Sequence, residues 1–155
     1  MATNPYAQFT GVPMDRDDID ELLTAQGYGI LSLCGDGEPY SVPISFGYDG
    51  AHVYFGLIYR GSTSTKRERV VDGATARLLV TDIRGRFDWQ SVAVTGPVRR
   101  VQHDEDEWDR LIETLVDNGW FMEAFERSDE VESLDGWRLE PDDIEGLEQK
   151  EEVYE

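Results

Sequence analysis

The chain has 155 residues, enough for one domain with a real core, and its 33 acidic and 14 basic residues give a formal net charge of −19. That balance disfavours nucleic acid, where phosphate neutralisation dominates affinity, and neither a membrane-length apolar run nor a basic-then-apolar leader is present. The single cysteine, Cys34, excludes an internal disulfide and a thiolate metal cage, so the sequence reads as a soluble, cytoplasmic protein.

Residues 1–13, with Asn4-Pro5 and Val12-Pro13, read as an irregular arm ahead of one domain spanning 14–140 and an acidic tail over 141–155. A short helix follows the arm, capped by Asp15 or Asp17, with Ile19, Leu22 and Leu23 on one face and Gly27 as terminator. Three strands come next: Tyr28 to Cys34, Glu38 to Tyr48 and Ala51 to Ile58. Asp36-Gly37 and Asp49-Gly50 between them are hairpin signals, which predicts an antiparallel meander. Cys34, at the end of an apolar run, is expected to be a buried and inert thiol.

The second strand has two faces. Tyr40, Val42, Ile44, Phe46 and Tyr48 form an apolar one; Ser41, Pro43, Ser45 and Gly47 form a small, flat one that would let a planar ligand approach the backbone. Pro43 cannot donate to a ladder and belongs at an edge or bulge.

After the third strand comes Gly61-Ser62-Thr63-Ser64-Thr65-Lys66, and Lys66 is the only lysine before position 150. Unpaired N–H groups and partial positive charge at a helix start, joined by hydroxyls and an ammonium, suit a phosphate. Thr65 and Glu68 also have capping-box spacing, so the same hydroxyls could serve only to close a helix start. That helix is expected to run to about Val71. Thr75 to Thr81 and Trp89 to Val101 read as a fourth and a fifth strand. Asp104 opens an amphipathic helix with Glu107 completing its capping box and Trp108, Leu111, Ile112, Leu115 and Val116 on one face, ended by Asn118-Gly119. Trp120, Phe121, Ala124 and Phe125 suggest a further helical turn, and Trp137 to Leu139 a last strand before the tail. Six short strands and few helices predict a small closed antiparallel barrel with helices packed outside it.

The charge is unevenly placed, with 21 acidic and 4 basic residues from Asp104 onward and 12 against 10 before it. Near-absence of lysine beside abundant Asp and Glu resembles the proteins of salt-in halophiles, haloarchaea above all. On that reading the acidic surface reports the solvent and not the substrate. His52 and His103, each alone in the sequence, make no metal site by spacing, and His52 beside a turn is expected at the surface.

In this order the elements resemble the pyridoxamine 5′-phosphate oxidase-like family, the FMN-binding split barrels. The resemblance rests on Leu31 to Phe46 with its D-G turn and V-P-x-x-F strand, Val53-Tyr54-Phe55, Gly61-Ser62 with Lys66, Ala76 to Val80 and Trp89 to Gly96. It implies a six-stranded split barrel that forms a homodimer and binds FMN in a cleft between subunits. Lys66 would hold the FMN phosphate with Ser62 and Thr65; Val42, Pro43, Ile44 and Ser45 would lie along the isoalloxazine ring. Trp89, Gln90 and Ser91 would approach the flavin, with the partner subunit as one source. The family's phosphate arginine has two candidates, Arg60 and Arg67, and no counterpart of the pyridoxamine phosphate oxidase substrate residues stands out. Because the flavin carries the redox chemistry, the lack of a hydrolytic triad does not count against an oxidoreductase. The resemblance implies an FMN-dependent oxidoreductase acting on a small organic molecule with NAD(P)H as donor. The deazaflavin F420 in the same cleft, or a flavin-binding sensor without turnover, are the alternatives.

Overall fold

A computed structural model describes residues 11–35, 37–59, 70–118 and 133–150. Within them are eight strands, β1 (Val12–Pro13), β2 (Tyr28–Gly35), β3 (Glu38–Tyr48), β4 (Val53–Tyr59), β5 (Thr75–Gly85), β6 (Asp88–Val101), β7 (Ser133–Leu139) and β8 (Asp143–Gln149), and two helices, α1 (Arg16–Ala25) and α2 (Asp106–Val116). The sheet order is β1-β8-β6-β5-β2-β3-β4-β7, and β6 also pairs with β7. That last pairing closes β2 to β7 into a six-stranded antiparallel barrel, the expected split barrel, while β8 and β1 continue the sheet outside it.

The split is made by β6. Its first half, Trp89 to Thr95, pairs with β8, and its last four residues, Val98 to Val101, pair with β7. Between them the β7–β8 connection crosses over Gly96, where an added Cβ would lie 1.8 Å from the carbonyl oxygen of Glu140. Backbone bonds from Glu140 N–H to Pro97 and from Asp142 N–H to Thr95 fix that crossing. A side chain at Gly96 would push the two strands apart, so the glycine is dictated by the topology.

Alternation sets the inside of the barrel. Leu31 and Leu33, Val42, Ile44 and Phe46, Val53, Phe55 and Leu57, Leu78 and Val80, and Val92 and Val94 are all buried in one cluster with Trp137 and Leu139. Ile19, Leu22 and Leu23 of α1 join that cluster. α2 builds a second one outside the barrel, laying Leu111, Leu115, Trp108 and Ile112 on Tyr54 and Val101.

Several sequence expectations are corrected. The strand expected from Ala51 starts at Val53, because the Asp49 carboxylate accepts the N–H groups of Ala51 and His52 at 2.9 and 2.7 Å and holds them in the turn. The helix expected from Asp104 starts at Asp106 with Glu105 at its cap. Glu107 closes no capping box, since its carboxylate is taken by Arg138 and, at 3.1 Å, by the Tyr54 hydroxyl. Cys34 is exposed, because it shares the outward register of Ser32 while Leu31 and Leu33 turn inward. Residues 143–149, read as tail, form β8, with buried Glu148 and Gln149. His52 is half-buried, with its ring edge-on to Tyr54 at 6.2 Å. The helix end expected at Asn118 comes at Val116, with Asp117 as C-cap, and Asn118 lies beyond it. The Asn118 side-chain amide donates to the carbonyls of Gly27 and Phe46 at 2.6 and 2.8 Å.

Candidate functional site

The outside of the barrel divides in two. α2 covers one part, over β4 and the end of β3, where Gly47 is so close to the helix that a Cβ would meet Thr114 at 2.2 Å. There Glu107, Arg138 and Tyr54 hold one another, while the buried Nδ1 of His52 beside Tyr54 has no hydrogen-bond partner among the described residues. Burial alone would raise the Glu107 carboxyl, but hydrogen bonds from Arg138 and Tyr54 outweigh it and hold the group below its usual range. Burial and the same carboxylate push the Tyr54 phenol up to about 12.

The other part, over β8, β6, β5, β2 and the first half of β3, carries no helix among the described residues. Strand register places its outward side chains in rows. Pro43, Ile30, Leu79 and Ala93 follow one another across β3, β2, β5 and β6. Pro43 is exposed, and Ile30 and Leu79 are each 39% exposed, large for apolar residues at the middle of a sheet. Tyr28 opposes Ser45, and Ser91 lies between Thr81 and Leu147. β4 pairs with β3 only at Phe46 to Tyr48, so Ser41 to Ser45 have a strand on one side alone among the described residues. Pro43 thus stands where its missing N–H costs no ladder bond.

The residues singled out from sequence therefore separate. Val42 and Ile44 point into the core at 7% and 6% exposure and can reach an outer ligand only through their backbone. Pro43 and Ser45 face outward. On β6, Trp89 and Ser91 take the outward register with Ala93, whereas Gln90 takes the inward register of Val92 and Val94. Gln90 donates to the buried carboxylate of Glu148 at 3.1 Å. Trp89 Nε1 donates to Gln149 at 3.1 Å, and its ring lies against Gly11. Within one chain, Pro43 and Ser91 are three inter-strand spacings apart across the sheet and two residues apart along it, about 16 Å. Ser62, Thr65 and Lys66 lie outside the described residues, as do Trp120, Phe121 and Phe125. Sequence reasoning missed Ile30, Leu79, Glu148 and Gln149; the period-2 pattern of β2 and β5 carried the first two, and nothing local announced β8.

An open cavity of about 1070 Å³ lies elsewhere, between the end of α1, the end of β3 and α2, with Thr24, Asp49, Arg110 and Asn118 in its wall. Of the small face of β3 only Gly47 reaches it; Val42 to Ser45 and Trp89 to Ser91 do not line it. Among the described residues no three His, Cys, Asp or Glu stand together as metal ligands, and no helix is long and apolar enough to cross a membrane.

The sequence profile of the pyridoxamine 5′-phosphate oxidase family matches residues 15–148. Among solved structures, an FAD-binding protein from Mesorhizobium loti aligns with TM-score 0.71 at 20% identity, over 90% of this chain and 97% of that one. The FAD and heme binding protein from Mycobacterium smegmatis gives 0.68 at 19% identity, over 91% and 74% of the two chains. The flavocytochrome Anf3 from Azotobacter vinelandii gives 0.65 at 16%, over 91% and 70%. At these identities the likeness is one of fold. No curated protein matches significantly.

Proposed function

We propose, from the premise that this chain belongs to the pyridoxamine 5′-phosphate oxidase family, that it is a flavin-binding protein of the oxidoreductase class. The flavin is FMN, held on the outer face of β3, β2 and β5 and enclosed by a second copy of the chain. The observation that carries this is the uncovered half of the barrel: a flat surface of Ser41, Pro43 and Ser45, bordered by exposed Ile30 and Leu79, beside a stretch of β3 with one open edge. A planar aromatic ring needs an apolar floor and backbone groups at its rim, and this surface offers both.

The separation of Pro43 from Ser91 supports the homodimer. A two-fold partner can bring its own β6 to the β3 of the first chain, which one chain cannot do across two intervening strands. A bound flavin would supply the electron transfer, and the chain would bind, orient and shield it. The substrate is a small organic molecule of nitro or quinone type, with NAD(P)H as donor. The FAD-binding neighbours support a flavin more generally, and FAD is the competitor to test beside FMN.

A visible spectrum of the purified protein in molar KCl, with FMN, FAD and F420 added in turn, tests the cofactor. A perturbed FMN spectrum with saturable binding is expected. A response to F420 alone would replace FMN by the deazaflavin, and no response to any would end the flavin reading. Consumption of NADH or NADPH with a nitroaromatic or quinone acceptor separates an enzyme from a flavin-binding sensor. Light scattering should give about twice 17.6 kDa.

A further inference from the structure

One row of the open face differs from the apolar row beside it. Ser41, Ser32, Arg77 and Thr95 are register partners in succession across β3, β2, β5 and β6, two residues along the strands from Pro43, Ile30, Leu79 and Ala93. The two rows are roughly 7 Å apart. The seryl hydroxyls bond to each other at 2.9 Å, so one O–H is used within the pair and the other is left for solvent or a ligand. Arg77 gives one Nη1 bond to Thr95 at 3.2 Å, and its Nη2 stands 3.9 Å from Glu145. That second contact is too long for a hydrogen bond, and both side chains are more than half exposed, so most guanidinium donors point to solvent. Asp143, the next register partner beyond Thr95, leaves the Ser41 side as the one open to an anion.

We infer that Ser41, Ser32 and Arg77 form an anion-recognising row that takes a phosphate group of the ligand lying on the adjacent apolar row. The inference rests on the flavin reading for the identity of that ligand, and it assigns Arg77 a phosphate contact in addition to the one expected of Lys66. A guanidinium flanked by hydroxyl donors matches phosphate oxygens by shape as well as charge. A ring lying over Pro43 and Ile30 would bring a tail of ribityl length within reach of the row. Glu145 competes for Arg77 from the far side, so removing its charge should favour the anion.

The test uses the full chain. Inorganic phosphate is titrated at moderate KCl while the Arg77 Nε–Hε resonance is followed, and FMN and riboflavin affinities are compared in wild type, Arg77→Gln, Ser41→Ala and Glu145→Gln. A saturable phosphate-dependent shift at Arg77 is expected, with FMN affinity about tenfold weaker in Arg77→Gln, about threefold weaker in Ser41→Ala and about twofold tighter in Glu145→Gln. Riboflavin, without a phosphate, should be unchanged throughout. No saturable shift at Arg77 overturns the row, whatever the flavins do. A shift in a wild-type protein that binds no flavin keeps the row and removes the flavin reading instead. An FMN-to-riboflavin ratio unchanged in both Arg77→Gln and Ser41→Ala, in a protein that binds FMN, also overturns it. Melting curves of the variants exclude misfolding as the cause of any loss.

Discussion

The part of the barrel under α2, on β4 and the end of β3, and the part left open, on β8, β6, β5, β2 and the first half of β3, follow the same strand alternation, yet they use their outward residues in opposite ways. Under the helix, Tyr54 is fully buried, Gly47 admits Thr114, and Glu107 is held by both Arg138 and Tyr54. On the open part, Ile30 and Leu79 remain partly exposed and Arg77 uses few of its donors. A barrel already stabilised from inside has no need of those apolar residues on its outside. What the fold leaves unused there is what a ligand or a second copy can use.

The comparison breaks most easily through truncation. Leu115→Ala, in the fully buried cluster under α2, should cost about 2–5 kcal/mol in denaturant unfolding. Leu79→Ser on the open half should change monomer stability by about 0.5 kcal/mol, while weakening self-association. Equal costs would show that the two halves do not differ. Gly96→Ala belongs with the large effects, since its Cβ has no room beside the Glu140 carbonyl. A loss of about 3 kcal/mol is expected, close to the upper end of ordinary single-site changes. A near-neutral result would mean that the strand crossing there is loose.

Cofactor affinity comes next in size. Lys66→Ala should remove a charge-assisted contact worth about 1.5–3 kcal/mol, tenfold or more in FMN affinity, with riboflavin binding left about equal. Unchanged FMN affinity would remove Lys66 from the site.

The smallest effect is the pH response of the sealed half. Glu107 has a lowered pKa in the folded protein, so its stabilisation is full above the unfolded carboxylate value and is lost as pH falls through the folded one. Tyr54 is the reverse. Its stabilisation is full below the ordinary phenol value near 10 and is lost as pH rises through about 12. Unfolding free energy should therefore fall off on both sides of a plateau. Glu107→Gln should flatten the acid limb and Tyr54→Phe the alkaline one. Limbs that persist in both variants would assign them to other groups.

The barrel was legible because its strands are bounded by turn residues. Asp-Gly pairs delimit β2, β3 and β4, and the alternation of Val42, Ile44 and Phe46 states which side faces the core. β8 was not legible, because Asp143-Ile144-Glu145-Gly146-Leu147-Glu148-Gln149 has the composition of a solvated tail. It becomes a strand because the first half of β6 offers it a free edge, and Ile144 packs against the barrel core. The same tertiary cause turned Glu107 from a cap into the partner of Arg138, a residue 31 positions away. Of the candidate site, the small face of β3 was visible in sequence. That Gln90 turns away from Ser91 was not, since it follows only once Val92 and Val94 are known to point inward.

The most direct test of the open half as the flavin face is hydrogen exchange with and without saturating FMN. Protection is expected in β3 from Ser41 to Ser45, in β2 around Ile30 and in β6 around Ser91, with α2 and the cavity between Thr24 and Asn118 unchanged. Protection confined to α2 and that cavity, with β3 exchanging as before, would place the ligand on the wrong half of the barrel and contradict the account.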